Sequence, residues 1–276
     1  MAITVNTNTA ANRAMTQLNK AGRALSGSFA RISSGLRISK AADDAAGLGV
    51  AEKLKVAASS SKVASRNTAD GISMIAVAEG ASSEVGNILG RMRELAVQSA
   101  SESLGDDERA YVQDEFAALS AEVDRISGVT EFNGKALTDG STATVGVQVG
   151  INATANDQVS ITLGDLSAAT LGVDTGAVDL STSTTASDAL AVIDDAIDMV
   201  SGYRSDYGAA ENRLNSALNN LETFVENTSA AESQIRDADF GYETAEMSKN
   251  QIMQQAGIAI LAQAKGMNQG ALSLLQ

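Results

Sequence analysis

The chain contains no histidine, no cysteine, no tryptophan and no proline. Lacking the first two, it has no disulfide, no thiolate or imidazole metal site, no Ser-His-Asp triad and no Cys-His dyad. Nothing follows about redox compartment, because a chain without thiols is indifferent to it. Proline normally supplies about 5% of residues, so roughly 14 would be expected here. Its absence suits long uninterrupted helices, in which an interior proline costs about 3 kcal/mol or more. Aromatics are scarce, with five Phe and four Tyr, and positive charge is outweighed, with 20 Lys+Arg against 34 Asp+Glu and a net charge of −14. That balance argues against nucleic-acid binding, which needs a clustered positive face. No apolar run is long enough for a transmembrane helix. The first residues, MAITVNTNTAANRAMTQ, lack a basic start followed by an apolar stretch, so no secretory signal peptide is expected.

What the chain does have is alanine, 48 residues of 276. Alanine buries little area, so an alanine-rich, aromatic-poor chain builds thin interiors. Long packed helices with narrow seams fit this composition better than a compact enzyme. At roughly 150 residues per domain, the length implies one or two domains.

Hydrophobic spacing divides the chain. From Ala11 to Leu36, apolar residues Leu18, Ala21, Leu25, Phe29, Ile32 and Leu36 recur at steps of 3 or 4, the period of a helix face. Asn8 and Thr9 are the candidate N-caps. Ser33-Ser34-Gly35 and the polar stretch to Lys40 read as a helix end and connector. A very long helix is expected from Ala45 to about Ser103, frayed near Ser59-Ser60-Ser61. Gly105 ends it and Asp106 caps the next helix, which runs to Gly128. Asn133-Gly134 is a turn dipeptide. Val145, Val147, Val149 and Ile151 alternate as a half-buried strand does, as do Val159, Ile161 and Leu163, with a polar hairpin loop between them. Leu166 to Thr184 has no clear period. Helix returns at Thr185-Ala186-Ser187-Asp188, a capping pattern, and breaks at Arg236-Asp237-Ala238-Asp239. A last helix carries Met253, Ala256, Ile260, Ala264, Met267, Ala271 and Leu274 at helical steps. The expected fold is mainly α, a long antiparallel helical bundle or coiled coil formed by both chain ends, with a small central β-hairpin region.

The acidic pairs do not make an active site. Asp43-Asp44 and Asp106-Asp107 stand where helix starts favour carboxylates, and Asp194-Asp195 are helical neighbours that point apart. Gly47-Leu48-Gly49 is too short for a dinucleotide loop. Asn152-Ala153-Thr154 and Asn227-Thr228-Ser229 match glycosylation sequons by chance. No catalytic residue, metal ligand or cofactor is expected.

Ordered motifs at both ends narrow the reading. Arg31-Ile32-Ser33-Ser34-Gly35-Leu36-Arg37-Ile38 with Asp43-Asp44-Ala45-Ala46-Gly47 resembles the start of bacterial flagellins. So do Ser65-Arg66-Asn67-Thr68-Ala69-Asp70-Gly71-Ile72-Ser73 and Arg91-Met92-Arg93-Glu94-Leu95-Ala96-Val97-Gln98-Ser99-Ala100. Ser233-Gln234-Ile235-Arg236-Asp237-Ala238-Asp239-Phe240, Gln251-Ile252-Met253-Gln254-Gln255-Ala256-Gly257 and Leu272-Ser273-Leu274-Leu275 match at the other end. The resemblance covers roughly residues 1–135 and 186–276.

The resemblance implies a structural subunit that self-assembles into the extracellular flagellar filament for swimming motility. It implies a terminal coiled-coil filament-core domain (1–42 plus 236–276) and a helical-bundle domain (43–235) with a β-hairpin insert at about 135–185. That insert is too short for a large variable outer domain, so this is a minimal form of the family. The metal-peptidase inserts of some relatives are excluded, because their zinc motif needs two histidines. The expected polymerisation seam is Leu18, Leu25, Phe29, Ile32, Leu36, Met253, Ile260, Met267 and Leu274. Eight such side chains, fully buried, supply roughly 12–24 kcal/mol as an upper bound, against an association cost on the order of 4–15 kcal/mol. Expected partners are further copies of the chain, a flagellar export chaperone, and the filament cap and junction proteins, with export through the flagellar type III apparatus and no membrane insertion. The resemblance also implies recognition by the vertebrate flagellin-sensing toll-like receptor through Arg91, Leu95 and Glu115, although Gly90 stands where the family commonly has Gln. Two alternatives remain at this point: a hook–filament junction protein with similar ends, and, from another class, a secreted helical enzyme using carboxylates.

Overall fold

A computed structural model describes residues 7–273, with side chains described through Gly266. Among these residues six helices, α1 (Thr9–Ser34), α2 (Ala45–Ser99), α3 (Asp106–Val129), α4 (Ala168–Leu171), α5 (Ser183–Arg236) and α6 (Phe240–Ser273), frame four short strands. The strands are β1 (Glu131–Phe132), β2 (Lys135–Ala136), β3 (Thr144–Gln148) and β4 (Gln158–Thr162). They form two antiparallel pairs, β1–β2 and β3–β4. The chain divides into two compact units, residues 1–57 with 226–276, and residues 58–225.

In the first unit α1 and α6 lie against each other. Three contacts show that they run antiparallel: Asn8 donates from its side chain to the Ala264 carbonyl at 2.9 Å, Arg31 pairs with Glu243 at 3.1 Å, and Leu18 sits against Gly257. Asn8 also caps α1, accepting from the Ala11 N–H at 2.9 Å. Gly35 ends the helix at φ +71°, a left-handed conformation that only glycine adopts without strain. The connector is then pinned to the break before α6. The Arg37 N–H donates to the Arg236 carbonyl at 2.7 Å, its guanidinium to the Ile235 carbonyl at 2.6 Å, and the Ala238 N–H to the Gly35 carbonyl at 2.9 Å. Asp44 and Asp239 cap α2 and α6 by accepting from the Gly47 and Gly241 N–H groups. Asp43 closes the turn before α2 by accepting from Ser39 and Lys40, and these bonds hold its carboxyl below the usual range.

The second unit holds two cores. In one, Leu89, Met92 and Leu95 of α2 meet Phe116 of α3 and Ile193 of α5, under a strap that contributes Leu166, Leu171, Val173, Val178 and Leu180. In the other, Ile75 and Ala78 of α2 and Tyr207 and Leu214 of α5 meet Val147, Val159 and Ile161 of the β3–β4 hairpin. Gly71 makes the second core possible: a Cβ there would lie 3.0 Å from a Val147 methyl. Buried Tyr207 accepts from the Gly164 N–H at 2.9 Å, and burial pushes its hydroxyl pKa up.

Several expectations shift. α2 is continuous through Ser59-Ser60-Ser61 and ends at Ser99, where buried Arg109 takes up the carbonyls of Ser99 and Ser101. Asp106 is not the cap of α3. Gly105 occupies the cap position without a side-chain bond, and Asp106 pairs with Arg109 at 3.2 Å instead. The helix runs to Val129, one residue past Gly128. α5 starts at Ser183, because Thr182 and Thr185 exchange side-chain-to-backbone bonds, a capping box that begins three residues before the expected one. Asn133-Gly134 joins β1 to β2 as a hairpin turn with both residues at positive φ (52° and 75°), the geometry that favours Asn-Gly.

Candidate functional site

The terminal helix pair covers only part of the seam expected from the sequence. The inner stripe of α1 is Leu18, Leu25 and Ile32, a heptad apart and half-buried, with Ala21 and Ser28 fully buried between them. On α6 the buried residues Glu243, Asn250 and Ala264 fall on the same heptad frame as Gly257, which touches Leu18. These positions are small or polar, and they close the antiparallel pair within one chain. Leu36, half-buried, lies in the short bridge to Asp237.

Other large apolar side chains of the pair are exposed. Phe29 is 65% exposed on α1, and Ile252, Ile258 and Ile260 are 66%, 56% and 60% exposed on α6, beside Met15 and Met253. Scattered exposed apolar residues are ordinary, and here several large ones gather on one helix pair. Leu18, Leu25, Ile32 and Leu36 therefore belong to the intramolecular side, and Phe29, Met253 and Ile260 to the open side. The side chain of Met267, and Leu274 altogether, lie outside the described residues.

A second polar constellation lies on the 58–225 unit. Arg91 donates to Glu115 from both Nε and a terminal nitrogen, at 3.0 and 2.8 Å, and to Glu94 at 2.9 Å. The bonds to Glu115 first, then to Glu94, raise the Arg91 pKa. Two residues on, Arg93 clasps Asp194 of α5 at 2.6 and 3.2 Å and lowers that carboxyl. Leu95 does not join this surface. It is 1% exposed, inside the core beside Phe116. Arg91 and Leu95, four residues apart, lean the same way on α2, but the long guanidinium stem passes over the rim while the leucine packs beneath it. The expected apolar anchor is thus a core residue. At Gly90 an added Cβ would meet no atom within 4 Å, so the missing side chain leaves open surface.

Among the described residues, no group of three or more acidic side chains is placed to hold a metal ion, and no helix is long and apolar enough to cross a membrane. The sequence reading missed the Arg109 cap, the Arg93–Asp194 clasp and the buried strap. The Arg93 partner is 101 residues away, and the Arg109 cap and the strap are held by single contacts, so none leaves a periodicity to read.

The fold and its surfaces define a helical structural protein that leaves apolar surface open on its terminal helices. Residues 5–143 match the family profile described as the bacterial flagellin N-terminal helical region, and residues 190–275 the bacterial flagellin C-terminal helical region. A flagellin of Halalkalibacterium halodurans is 44% identical over 89% of this chain and 90% of its own length. A flagellin of Bacillus subtilis is 40% identical over 99% of both. A structure described as a flagellar hook-associated protein of Vibrio parahaemolyticus covers 67% of this chain and 95% of its own at TM-score 0.55 and 15% identity, a likeness of fold alone. The chain belongs to the bacterial flagellin family, in a compact form without a large outer domain, and is a structural protein rather than an enzyme.

Proposed function

We propose that this chain polymerises into the extracellular flagellar filament used for swimming, and that copies join through exposed Phe29, Met253 and Ile260, with Met267 and Leu274 the next residues of the same sequence heptad. The observation that carries the reading is the inversion on the terminal pair: large apolar residues are exposed, while the fully buried positions of the pair are small or polar. A contact that does not close on itself, repeated along a screw axis, yields a filament rather than a ring. Residues 1–42 and 236–276 form the filament-core part in this reading, and 43–235 the surrounding bundle. Leu18, Leu25, Ile32 and Leu36 act indirectly, by holding α1 and α6 so that the exposed apolar residues are presented. Before assembly the same residues need covering, the role of an export chaperone, and at the filament ends they meet the cap and junction proteins. Electron microscopy of the purified chain tests the reading. Long helical filaments formed without other proteins are expected, and a chain that stays dispersed under assembly conditions refutes it. The same test separates this reading from a hook–filament junction protein, which does not polymerise alone.

A second reading rests on the Arg91, Glu94 and Glu115 cluster, which is exposed and prearranged across two helices. It presents a planar, always-charged fork beside two carboxylates, a surface suited to a polar protein partner such as the flagellin-sensing receptor. Leu95 contributes by supporting α2 from below. Arg91→Ala is expected to lower a receptor-reporter response to dispersed chain. An unchanged response, with a known sensed flagellin responding alongside, removes this reading.

A further inference from the structure

We infer that Glu243 and Asn250, with Arg31 across from Glu243, set the register and antiparallel alignment of the α1–α6 pair, rather than its strength. The argument starts from what the inner seam lacks. A coiled-coil seam built for stability places branched apolar residues at each heptad position. Here the column on α6 that holds its three buried residues is Glu243, Asn250, Gly257 and Ala264, with Met247, Gln254 and Leu261 half-buried beside it. Glu243 is 4% exposed and Asn250 6%. One Glu243 oxygen accepts from Arg31 at 3.1 Å, and the other is buried with no partner. A buried carboxylate satisfied on one side only is poor material for stability.

What such a pair does well is discriminate. A polar residue at a single seam position makes every alignment but one leave it unpaired. Leu18, Leu25 and Ile32 repeat every seven residues and are nearly interchangeable, so along the seam they permit α6 to slide by one heptad. Besides the polar positions, the bonds of Gly35 with Ala238 and of Arg37 with Arg236 at the connector resist that slide. A slide of seven residues moves a helix by about 10 Å. It leaves Glu243 opposite Leu25 or beyond Gly35, in either case without Arg31. Asn250 adds a second polar position on the same frame. The geometry makes the native alignment the one in which Arg31 meets Glu243 and Leu18 meets Gly257.

The absence of cysteine makes this testable, because any introduced pair reports alone. A Cβ added at Gly257 lies 3.8 Å from the Leu18 Cβ, within disulfide reach. Leu18→Cys with Gly257→Cys therefore reports the native register, and Leu25→Cys with Gly257→Cys the register slipped by one heptad. Each pair is placed in the full-length chain, oxidised under assembly conditions, and the intramolecular disulfide is quantified by peptide mapping of the monomer band. In the parent background the native cross-link is expected to exceed the slipped one at least tenfold. With Glu243→Leu and Asn250→Leu together, the ratio is expected to fall below threefold. Arg31→Glu alone lowers it as well, and Arg31→Glu combined with Glu243→Arg restores it. A purely structural role predicts that both cross-links fall together at constant ratio, and that result overturns the inference. So does a parent chain without preference, or an Arg31→Glu chain whose ratio is unchanged. This holds whatever joins copies to one another: the ratio reads the pair, and sedimentation of the same samples reads assembly.

Discussion

The two units of this chain differ in the size of the largest side chains they bury. In the 58–225 unit large side chains are fully buried, among them Phe116, Leu89, Met92, Ile193 and Tyr207, and they are organised into two cores. On α1 and α6 the buried residues are Ala21, Ser28, Glu243, Asn250 and Ala264, while Phe29, Ile252, Ile258 and Ile260 stand out. Hydrophobic stabilisation scales with apolar area removed from water. The first kind of unit can be stable within one chain. The second leaves much of its apolar surface in water until something covers it. On the proposed reading, assembly energy is stored on the terminal helices, whose large apolar side chains a single chain leaves exposed.

Breaking the exposed apolar surface gives the largest effect. Ile260→Asp places a charge where an apolar side chain is to be covered, and an unpaired buried charge is strongly unfavourable. Loss of filament formation is expected, with the unfolding transition of the 58–225 unit unchanged. Sedimentation measures the first and thermal denaturation followed by circular dichroism the second. A variant that pellets as filaments at parental concentration removes Ile260 from the interface. Phe29→Ala weakens assembly by the same logic and in the same assay, to a smaller degree.

The complementary change belongs in the body. Phe116→Ala empties a site that is 0% exposed in the first core, and such truncations cost about 3–5 kcal/mol. Denaturant unfolding should show that loss. Amide exchange along α6 should be unaffected if the two units draw on separate cores. Equal loosening of both would erase the contrast.

How much of this was legible in the sequence follows from how local each signal is. The helices around Leu18–Ile32 and Val112–Ile126 repeat at helical steps, and β3 and β4 alternate, so these elements stood out. The split between covered and exposed apolar residues did not. Leu18 and Phe29 are both apolar and share one helical repeat, and only the position of α6 decides which is covered. Leu95 misled for a related reason. Its motif marked it as part of a surface, while its packing against α3 and α5 made it core. The strap through Leu166, Leu171 and Leu180 has no period because it is held by single contacts, such as the Leu180 N–H donating to Gln113 at 2.7 Å and the Ala168 N–H to Asp124 at 2.8 Å.

That strap supplies the finest test of the contrast, and its handle is pH. Three carboxylates close turns along it or at its edge. Asp139 accepts from the Ser141 hydroxyl at 2.6 Å and its N–H at 2.9 Å, and Asp179 accepts from the N–H and hydroxyl of Ser181. Asp165 accepts from Thr170 at 2.6 Å and from the Ser167 N–H at 2.9 Å. The pKa of each is lowered from the model-peptide value of 3.8. At Asp165 burial pushes the pKa up, and the Thr170 and Ser167 bonds outweigh it. A carboxyl whose pKa is depressed on folding stabilises the fold fully above its unfolded pKa, and that contribution disappears as pH falls through the folded value. Acid should therefore loosen the strap below about pH 3.8, while the bonds that join α1 to α6 through neutral groups, such as Asn8 to Ala264, do not titrate there. Amide exchange of residues 139–181 between pH 5 and pH 3 measures the effect against α2 residues 85–96 as an internal reference. Asp179→Asn keeps an oxygen that accepts from Ser181 and removes the titration, so exchange near Ser181 should lose its pH dependence while keeping its protection at pH 5. Exchange that rises equally with and without this substitution would show that the turn carboxylates do not hold the strap, and the two units would then differ in their buried residues alone.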